Sequence, residues 1–318
     1  SYLFLTLFIL ANIALFGGRG YVGQEIIKLL DKHPLFFLKK AYSSSAYGKH
    51  IENYSKDKSL KFLKLDGNDF ELDSIDIAIL ALPNNKSFEY VQKIKNASSK
   101  IIILDLSSDH RFNDNWDYRI PEIKKTTAGQ YISNPGCYAT AIQLIVSPLK
   151  SYITGKVSAF GISGYSGAGA PPNDKNDPQK LKNNVIPYAP SGHIHELETR
   201  KHCYENIYFS PHVGNFFQGI HITAHIKLEK PLSKDELFNI YRKYYENMPL
   251  IKFNDMPTIQ EVARKHHATI GGFSLDKSNK NLTMYSVIDN LLKGAATQAI
   301  QNLNSACGLE ELLGVTND

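Results

Sequence analysis

The stretch Ile13-Ala14-Leu15-Phe16-Gly17-Gly18-Arg19-Gly20-Tyr21-Val22-Gly23 decides the fold. Its first four residues read as a short buried strand. A glycine turn follows, and then a pattern that places Val22, Ile26, Leu29 and Leu30 on one helical face. Strand, glycine turn and helix in that order are the context of a dinucleotide-binding fingerprint. Gly17, Gly20 and Gly23 recur every three residues, which departs from the usual first spacing of that fingerprint. The physical demands are the same: a tight turn, close backbone approach to a pyrophosphate, and close packing of helix on strand.

Outward from this unit, Leu35–Tyr42, Ile75–Leu82 and Ile101–Leu104 read as further buried strands, with helical patterns between them. Such alternation predicts an α/β fold with a doubly wound, parallel, Rossmann-type sheet, whose strand C-termini face the ligand. The loops Pro83–Asn85, Ser107–Arg111 and Asn134–Cys137 then share that side. An acid about 20 residues past the glycines grips the ribose hydroxyls of NAD in such folds. Here Ala41–Lys49 contains Ser43, Ser44, Ser45 and Lys49 and no acid. Hydroxyls and a lysine suit a ribose 2′-phosphate, so NADP(H) is the expected cofactor. After Leu149 the texture changes. Val157–Ile162 and His221–Ile226 are strand-like, Ser163–Pro172 is too rich in glycine and proline for regular structure, and Ser233–Glu236 is a capping box. This half reads as an α+β domain on a mostly antiparallel sheet. The expected division is residues 11–148 for the NADP-binding domain, 149–289 for a substrate and dimerisation domain, and 290–318 for a C-terminal helix returning to the first.

The chain has 318 residues, 42% hydrophobic and 21% charged, with a net charge of +5. The basic residues are scattered, so no surface for nucleic acid is indicated. Three cysteines are too few and too sparse for a disulfide framework, and suit a reducing compartment. Ser1–Leu10 is apolar but lacks a basic flank, and reads as an extension ahead of the fold rather than a membrane span.

The chemistry centres on Ser133-Asn134-Pro135-Gly136-Cys137-Tyr138. Pro135 and Gly136 turn the chain into an apolar helix, which places Cys137 at a helix N-terminus. The dipole and free N–H groups there favour a thiolate. A nucleophilic cysteine needs a base, and the candidate lies in Gly192-His193-Ile194-His195-Glu196. Two histidines two apart on an extended segment point to opposite faces, so one serves the sulfur and the other packs. Glu196 or Glu198 orients the working imidazole. The pair lacks the further ligands of a metal site. Cofactor, cysteine and histidine together specify thioester chemistry with hydride transfer.

Several motifs carry a resemblance. Gly20–Glu25, Asp105–Phe112, Tyr118–Glu122, Asn134–Thr140, Ser163–Gly169, Gly192–His195 and Asp289–Ala296 look like N-acetyl-γ-glutamyl-phosphate reductases, relatives of aspartate-semialdehyde dehydrogenase, over nearly the whole chain. Ser163–Pro178 and Gly214–Gly219 are most similar to the subgroup with the mitochondrial reductase fused to acetylglutamate kinase. The resemblance implies NADPH-dependent reductive dephosphorylation in arginine biosynthesis, with Cys137 carrying the thioester and His193 as acid–base. It implies a cofactor site of Gly17, Arg19, Gly20, Tyr21, Val22, Ser43, Ser44, Pro83, Ser166, Gly167 and Asn290. The expected substrate residues are Arg111, for the phosphate, with Asn134, His195 and Glu196. Many members of the family have arginine where Ala170 and Gln218 stand, which leaves the substrate's α-carboxylate and acetamide without an assigned partner. A homo-oligomer, dimer or tetramer, is expected, in the cytoplasm or alternatively the mitochondrial matrix. The alternatives are the same chemistry on an aminoadipyl or aspartyl phosphate, and a non-catalytic NADP-binding regulatory protein.

Overall fold

The computed structural model describes residues 10–66 and 70–315. Of the expected N-terminal extension, Ser1 to Ile9 lie outside these residues.

The first sheet is wholly parallel, built on β1 (Ala11–Phe16), β2 (Phe36–Ser43), β3 (Leu63–Lys64), β4 (Ile77–Leu80), β5 (Ile102–Asp105), β6 (Asp117–Tyr118) and β7 (Tyr131–Ser133). Its order is β3-β2-β1-β4-β5-β7-β6. Alternation along β1 assigns its two faces. Ile13 and Leu15 pack with α1 (Tyr21–Lys32), whereas Ala14 and Phe16 pack with α2 (Ser87–Ala97). A strand buried on both faces must be apolar there, which is why Ile13–Phe16 of β1 shows no hydrophobic–polar alternation. The helical alternation expected from the sequence fails between β2 and β4. Among its described residues that span carries turns, the isolated bridge between His50 and Lys61, and the two-residue β3.

The second sheet is mixed, with order β12-β13-β14-β11-β8-β10-β9. Its members are β8 (Ile153–Gly164), β9 (Val185–Pro187), β10 (Ile207–Gly214), β11 (Ile220–Leu228), β12 (Ile251–Phe253), β13 (Ala268–Leu275) and β14 (Asn281–Ile288). Only the β8–β10 and β12–β13 pairs are parallel. One face packs on α3 (Cys137–Val146) and α6 (Lys234–Tyr244). The other presents Phe160 and Tyr208 to solvent. Between these strands run the short α4 (Pro178–Leu181), α5 (Ile194–His202) and the short α7 (Ile259–Val262). The expected boundary at residue 148 places α3 in the first unit, but its core is that of the second sheet. Residues Tyr138 to Val146 are all buried, and Tyr138, Ala141, Ile142, Leu144, Ile145 and Val146 join Val157, Phe209 and Ile222 in one cluster.

The C-terminal segment packs against the first sheet. It begins as a π-helical turn, Leu292–Ala296, and continues as α8 (Thr297–Ala306). Ala296, Ala299, Ile300 and Leu303 join the cluster of β1 and α1. The helix expected to open at Asn290 therefore starts two residues later and with wider turns.

Candidate active site

The glycine turn divides its three tasks among different residues. Gly17 has φ +84, and a Cβ there would lie 2.2 Å from the Ala81 carbonyl oxygen. Gly23 lets α1 close on the turn, since its Cβ would meet Gly17 O at 2.5 Å. Gly20 caps α1 in an extended conformation, and a Cβ there would have only Gly17 O within 4 Å, at 3.5 Å. No side chain caps α1, so its first-turn N–H groups are open to an anion. Arg19, Ser44, Ser45 and Lys49 are exposed nearby, and Pro83 is exposed at the end of β4. These residues fit a dinucleotide with a 2′-phosphate. Ser43 differs from expectation: it is buried, and its hydroxyl accepts from the N–H groups of Ser45 and Ala46, shaping the loop.

Two more expected cofactor residues are structural ties. Ser166 Oγ accepts from Asn290 Nδ2 at 2.9 Å, and Asn290 Oδ1 accepts from Gly219 N at 2.6 Å. Together they hold the Ser163–Gly169 loop against residues 214–219, where Tyr165 N and Ser166 N donate to Phe216 O and Phe217 O. Gly167 remains exposed beside them. Tyr21, at the start of α1, packs edge-on against Phe217 with 5.2 Å between centroids, joining the two halves. On the loop side of the first sheet, buried Asp105 accepts from Ser87 Oγ, Ser107 and His110 Nδ1, which locks the loops after β4 and β5.

Cys137 is the first residue of α3, with Gly136 as the N-cap. Three neighbours need glycine to come this close. A Cβ on Gly136 would lie 2.3 Å from His195 Nε2 and 2.6 Å from Arg111 Nη1, one on Gly294 2.7 Å from Cys137 Cβ, and one on Gly161 2.6 Å from Tyr138 Cε1. His193 and His195 do not alternate across an extended strand. His193 is the N-cap of α5, its Nδ1 accepts from His195 N at 3.1 Å, and the chain turns helical at once. Both rings therefore reach the same pocket. They lie 4.8 Å apart and flank Tyr138 at 6.2 and 6.0 Å. Tyr188 stands 5.6 Å from the His193 ring. His195 Nδ1 is buried with no hydrogen-bond partner.

Three expected substrate residues are committed elsewhere. Arg111 donates through Nε to Asn134 O, through Nη2 to Leu106 O, and through Nη1 to Glu198 at 3.0 Å. Its guanidinium is thus a fixed part of the wall and not an open fork. Asn134 is buried, its amide nitrogen directed at Ala295 O and its oxygen accepting from Asn302. Glu196 points away, accepting from Phe209 N and pairing with Arg200. Glu198 is the carboxylate that matters here. Besides Arg111 it accepts from Tyr118 Oη and from Gly136 N, both at 2.7 Å, and so fixes the N-cap of the cysteine helix.

Burial pushes the Cys137 thiol up to about 11, although Arg111 and the N–H of Tyr138 pull the other way. The helix N-terminus acts in the expected direction but is outweighed by desolvation. Burial, then Lys175 and Arg111, hold His193 down at about 4. His195 is also held well below the usual imidazole range, again by burial first. The resting pair is a thiol beside a neutral imidazole, so proton transfer accompanies nucleophilic attack instead of preceding it.

Two family profiles match the chain: residues 12–131 the "Semialdehyde dehydrogenase, NAD binding domain", and residues 137–290 the "Semialdehyde dehydrogenase, dimerisation domain". The N-acetyl-gamma-glutamyl-phosphate reductase of Xanthomonas axonopodis pv. citri is 41% identical over 309 residues, covering 96% of this chain and 98% of that protein. The chain belongs to the N-acetyl-gamma-glutamyl-phosphate reductases of the semialdehyde dehydrogenase family. Two relatives of this reductase family are longer. "Protein arg11, mitochondrial" of Schizosaccharomyces pombe is 42% identical, and this chain spans 36% of it. "Bifunctional protein argC, mitochondrial" of Dictyostelium discoideum is 41% identical, and the chain spans 37% of it. The fold is shared with aspartate semialdehyde dehydrogenase II of Vibrio cholerae, with a TM-score of 0.78 at 17% identity, covering 94% of this chain and 98% of that one. The family's profile boundary, between 131 and 137, agrees with the packing of α3 on the second sheet. Tyr188 has no role readable from the sequence, being far from Cys137 in the chain, and Glu198, one of two candidates to orient the imidazole, holds Arg111, Tyr118 and the Gly136 N–H instead. No described helix is long and apolar enough to cross a membrane.

Proposed function

We propose that this protein reduces N-acetyl-γ-glutamyl phosphate with NADPH, giving N-acetylglutamate semialdehyde, NADP and phosphate. The observation that carries the reading is Cys137 at the first position of α3, with both imidazoles of the Gly192–His195 motif turned onto its pocket. The Cys137 sulfur attacks the acyl carbon, the carbon–oxygen bond to phosphate breaks, and a thioester forms. His193, neutral at rest, takes the thiol proton as the sulfur attacks. The Gly17–Val22 turn with Arg19, Ser44 and Pro83 would hold NADPH, which would supply the hydride for the thioester carbon. The N–H groups opening α3 stabilise the resulting oxyanion, as no side chain caps them. The oxyanion then collapses to the aldehyde, the carbon–sulfur bond breaks, and His193 returns to the departing sulfur the proton it took from the thiol. Arg111, fixed by Glu198, contributes positive charge beside Cys137 throughout.

A homo-oligomer is the expected working unit; the family's dimerisation domain and the outer face of the second sheet, with Phe160 and Tyr208, support it. The bifunctional relative supports acetylglutamate kinase as a fused or associated partner. Three free cysteines suit either the cytoplasm or the mitochondrial matrix. The test follows NADPH absorbance with N-acetyl-γ-glutamyl, aminoadipyl and aspartyl phosphates. The glutamyl substrate should give the highest kcat/KM, and a higher value for either other acyl phosphate would reassign the substrate.

A further inference from the structure

We propose that Lys175 is the cation that receives the substrate's free carboxylate, and so sets the specificity of the reaction proposed above, on which this inference rests. Lys175 belongs to the polar loop between β8 and α4, and that loop is built rather than loose. Asn173 Nδ2 donates to Ala168 O and Pro171 O at 3.1 and 2.9 Å. Asn176 Nδ2 donates to Gly169 O and Pro171 O, both at 2.9 Å. The Lys175 N–H donates to Asn173 Oδ1, and Asn173 N to Asn176 Oδ1. Downstream, Asp177 caps α4 and Leu181 is buried. Two side-chain amides thus hold the backbone that carries Lys175.

The ammonium points to the pocket. Lys175 Nζ lies 4.7 Å from the centroid of the Tyr188 ring, whose own centroid is 5.6 Å from that of His193. Its charge is felt there, since it helps hold the His193 imidazole neutral. Among the described residues no carboxylate pairs with it. Asp174 is taken by Lys180 at 2.6 Å, and Asp177 caps α4 by accepting from Gln179 N. The other cations of the buried site are neutralised: Arg111 by Glu198 and Lys293 by Glu122. A half-buried ammonium over an aromatic face and without a counter-ion retains its capacity for an anion. The substrate brings two anions, one on each end of a short chain. Cys137 takes the acyl carbon, which places the phosphate at the cysteine and leaves the remote carboxylate for a cation at the rim.

The experiment compares wild type, Lys175→Met and Lys175→Arg on N-acetyl-γ-glutamyl phosphate and on 4-acetamidobutyryl phosphate, the same chain with hydrogen in place of the carboxylate. Lys175→Met should raise KM for the first substrate about 10- to 100-fold, with kcat changed far less, and should leave the second unaffected. Lys175→Arg should recover most of the loss. The acid limb of kcat/KM should also move to higher pH in Lys175→Met, because one of the charges that hold His193 neutral is gone. Lys175→Gln replaces the Met variant if that protein does not fold. Equal KM losses on both substrates would mean that Lys175 serves the phosphate or the fold, and would overturn the inference. So would an unchanged KM, or a loss confined to kcat. A wild type that turns over neither acyl phosphate overturns the proposed function instead, and this inference with it.

Discussion

Two buried polar regions lie on either side of the π-helical turn at Leu292–Ala296, and they are built on opposite rules. On one side, Lys293 is fully buried and donates to Glu122 at 2.7 Å and to Gln301 at 2.8 Å. Gln301 donates in turn to Glu122 and Glu311, and Arg119 binds Glu311 and Asn302. Asn302 reaches back to Arg119 O and Asn134. On the other side, Gly294 touches Cys137, in a pocket where, among the described residues, His195 Nδ1 has no partner and Lys175 no counter-ion. Burial penalises polar groups equally in both places. The first region offsets that penalty with closed hydrogen bonds, and the burial of Glu122 is outweighed by the charge and hydrogen bond of Lys293 together with the hydrogen bonds of Gln301 and the backbone, which keep its carboxyl below the usual range. The second leaves the penalty standing, and it appears as a raised thiol and lowered imidazoles. Unmet polar capacity therefore marks the reactive side, and met capacity the structural side.

The contrast is broken most severely at Cys137. Cys137→Ser should abolish turnover in the NADPH assay while leaving NADPH binding, read by fluorescence titration, nearly unchanged. A serine hydroxyl is not ionised enough to replace sulfur, and the cofactor residues lie on another sheet. Residual turnover within ten-fold of wild type would remove the thioester from the mechanism.

His193→Asn should lower kcat by about 10²–10⁴, the usual span for general acid–base help. In the wild type the acid limb of kcat/KM belongs near pH 4 rather than at the ordinary imidazole value, because His193 must be unprotonated to take the thiol proton. His195→Asn should mainly affect KM or stability. A larger kcat loss in His195→Asn would exchange the two roles, which the shared pocket makes a direct comparison.

On the closed side the same kind of change should cost stability and not chemistry. Lys293→Met strands the Glu122 carboxylate in the core, so urea unfolding should show a loss of about 3–5 kcal/mol. Adding Glu122→Gln should recover much of it, since the coupling of a contacting pair is not additive. A single variant as stable as wild type would show that the network is dispensable.

The smallest effect concerns pH. His33 is fully buried against Asn304, and burial holds it down at about 4. The unfolded chain binds that proton near pH 6.5 and the folded chain only near 4, so the unfolded state holds more protons in between. Stability from this residue is full above pH 6.5 and falls as the pH drops towards 4, by about 3 kcal/mol for a shift of this size. Chemical denaturation at pH 7 and pH 4.5 reads the slope, and His33→Gln should flatten it.

The sequence by itself determined the parallel sheet, because Ile13–Phe16 of β1 and all of β4 are buried on both faces and therefore apolar, and Gly17 is forced by a positive φ that a local turn demands. It determined the position of Cys137 too, since Pro135, Gly136 and the apolar run after Tyr138 are local signals for a helix start. It placed both Ser43 and Ser44 at the cofactor, but only Ser44 is exposed, while the Ser43 hydroxyl closes its own loop. Only the tertiary structure decided which charges meet. Arg111 and Glu198 are 87 residues apart, and Lys293 and Glu122 are 171 apart. Periodicity reports which face of an element is buried, not which distant element covers it. The same limit explains the histidines: an alternation argument holds for an extended chain, and His193 ends the extended stretch by capping α5. The reactivity of Cys137 lay beyond the sequence for a related reason. A helix N-terminus is a local feature, whereas the desolvation that outweighs it comes from the chain segments folded over it.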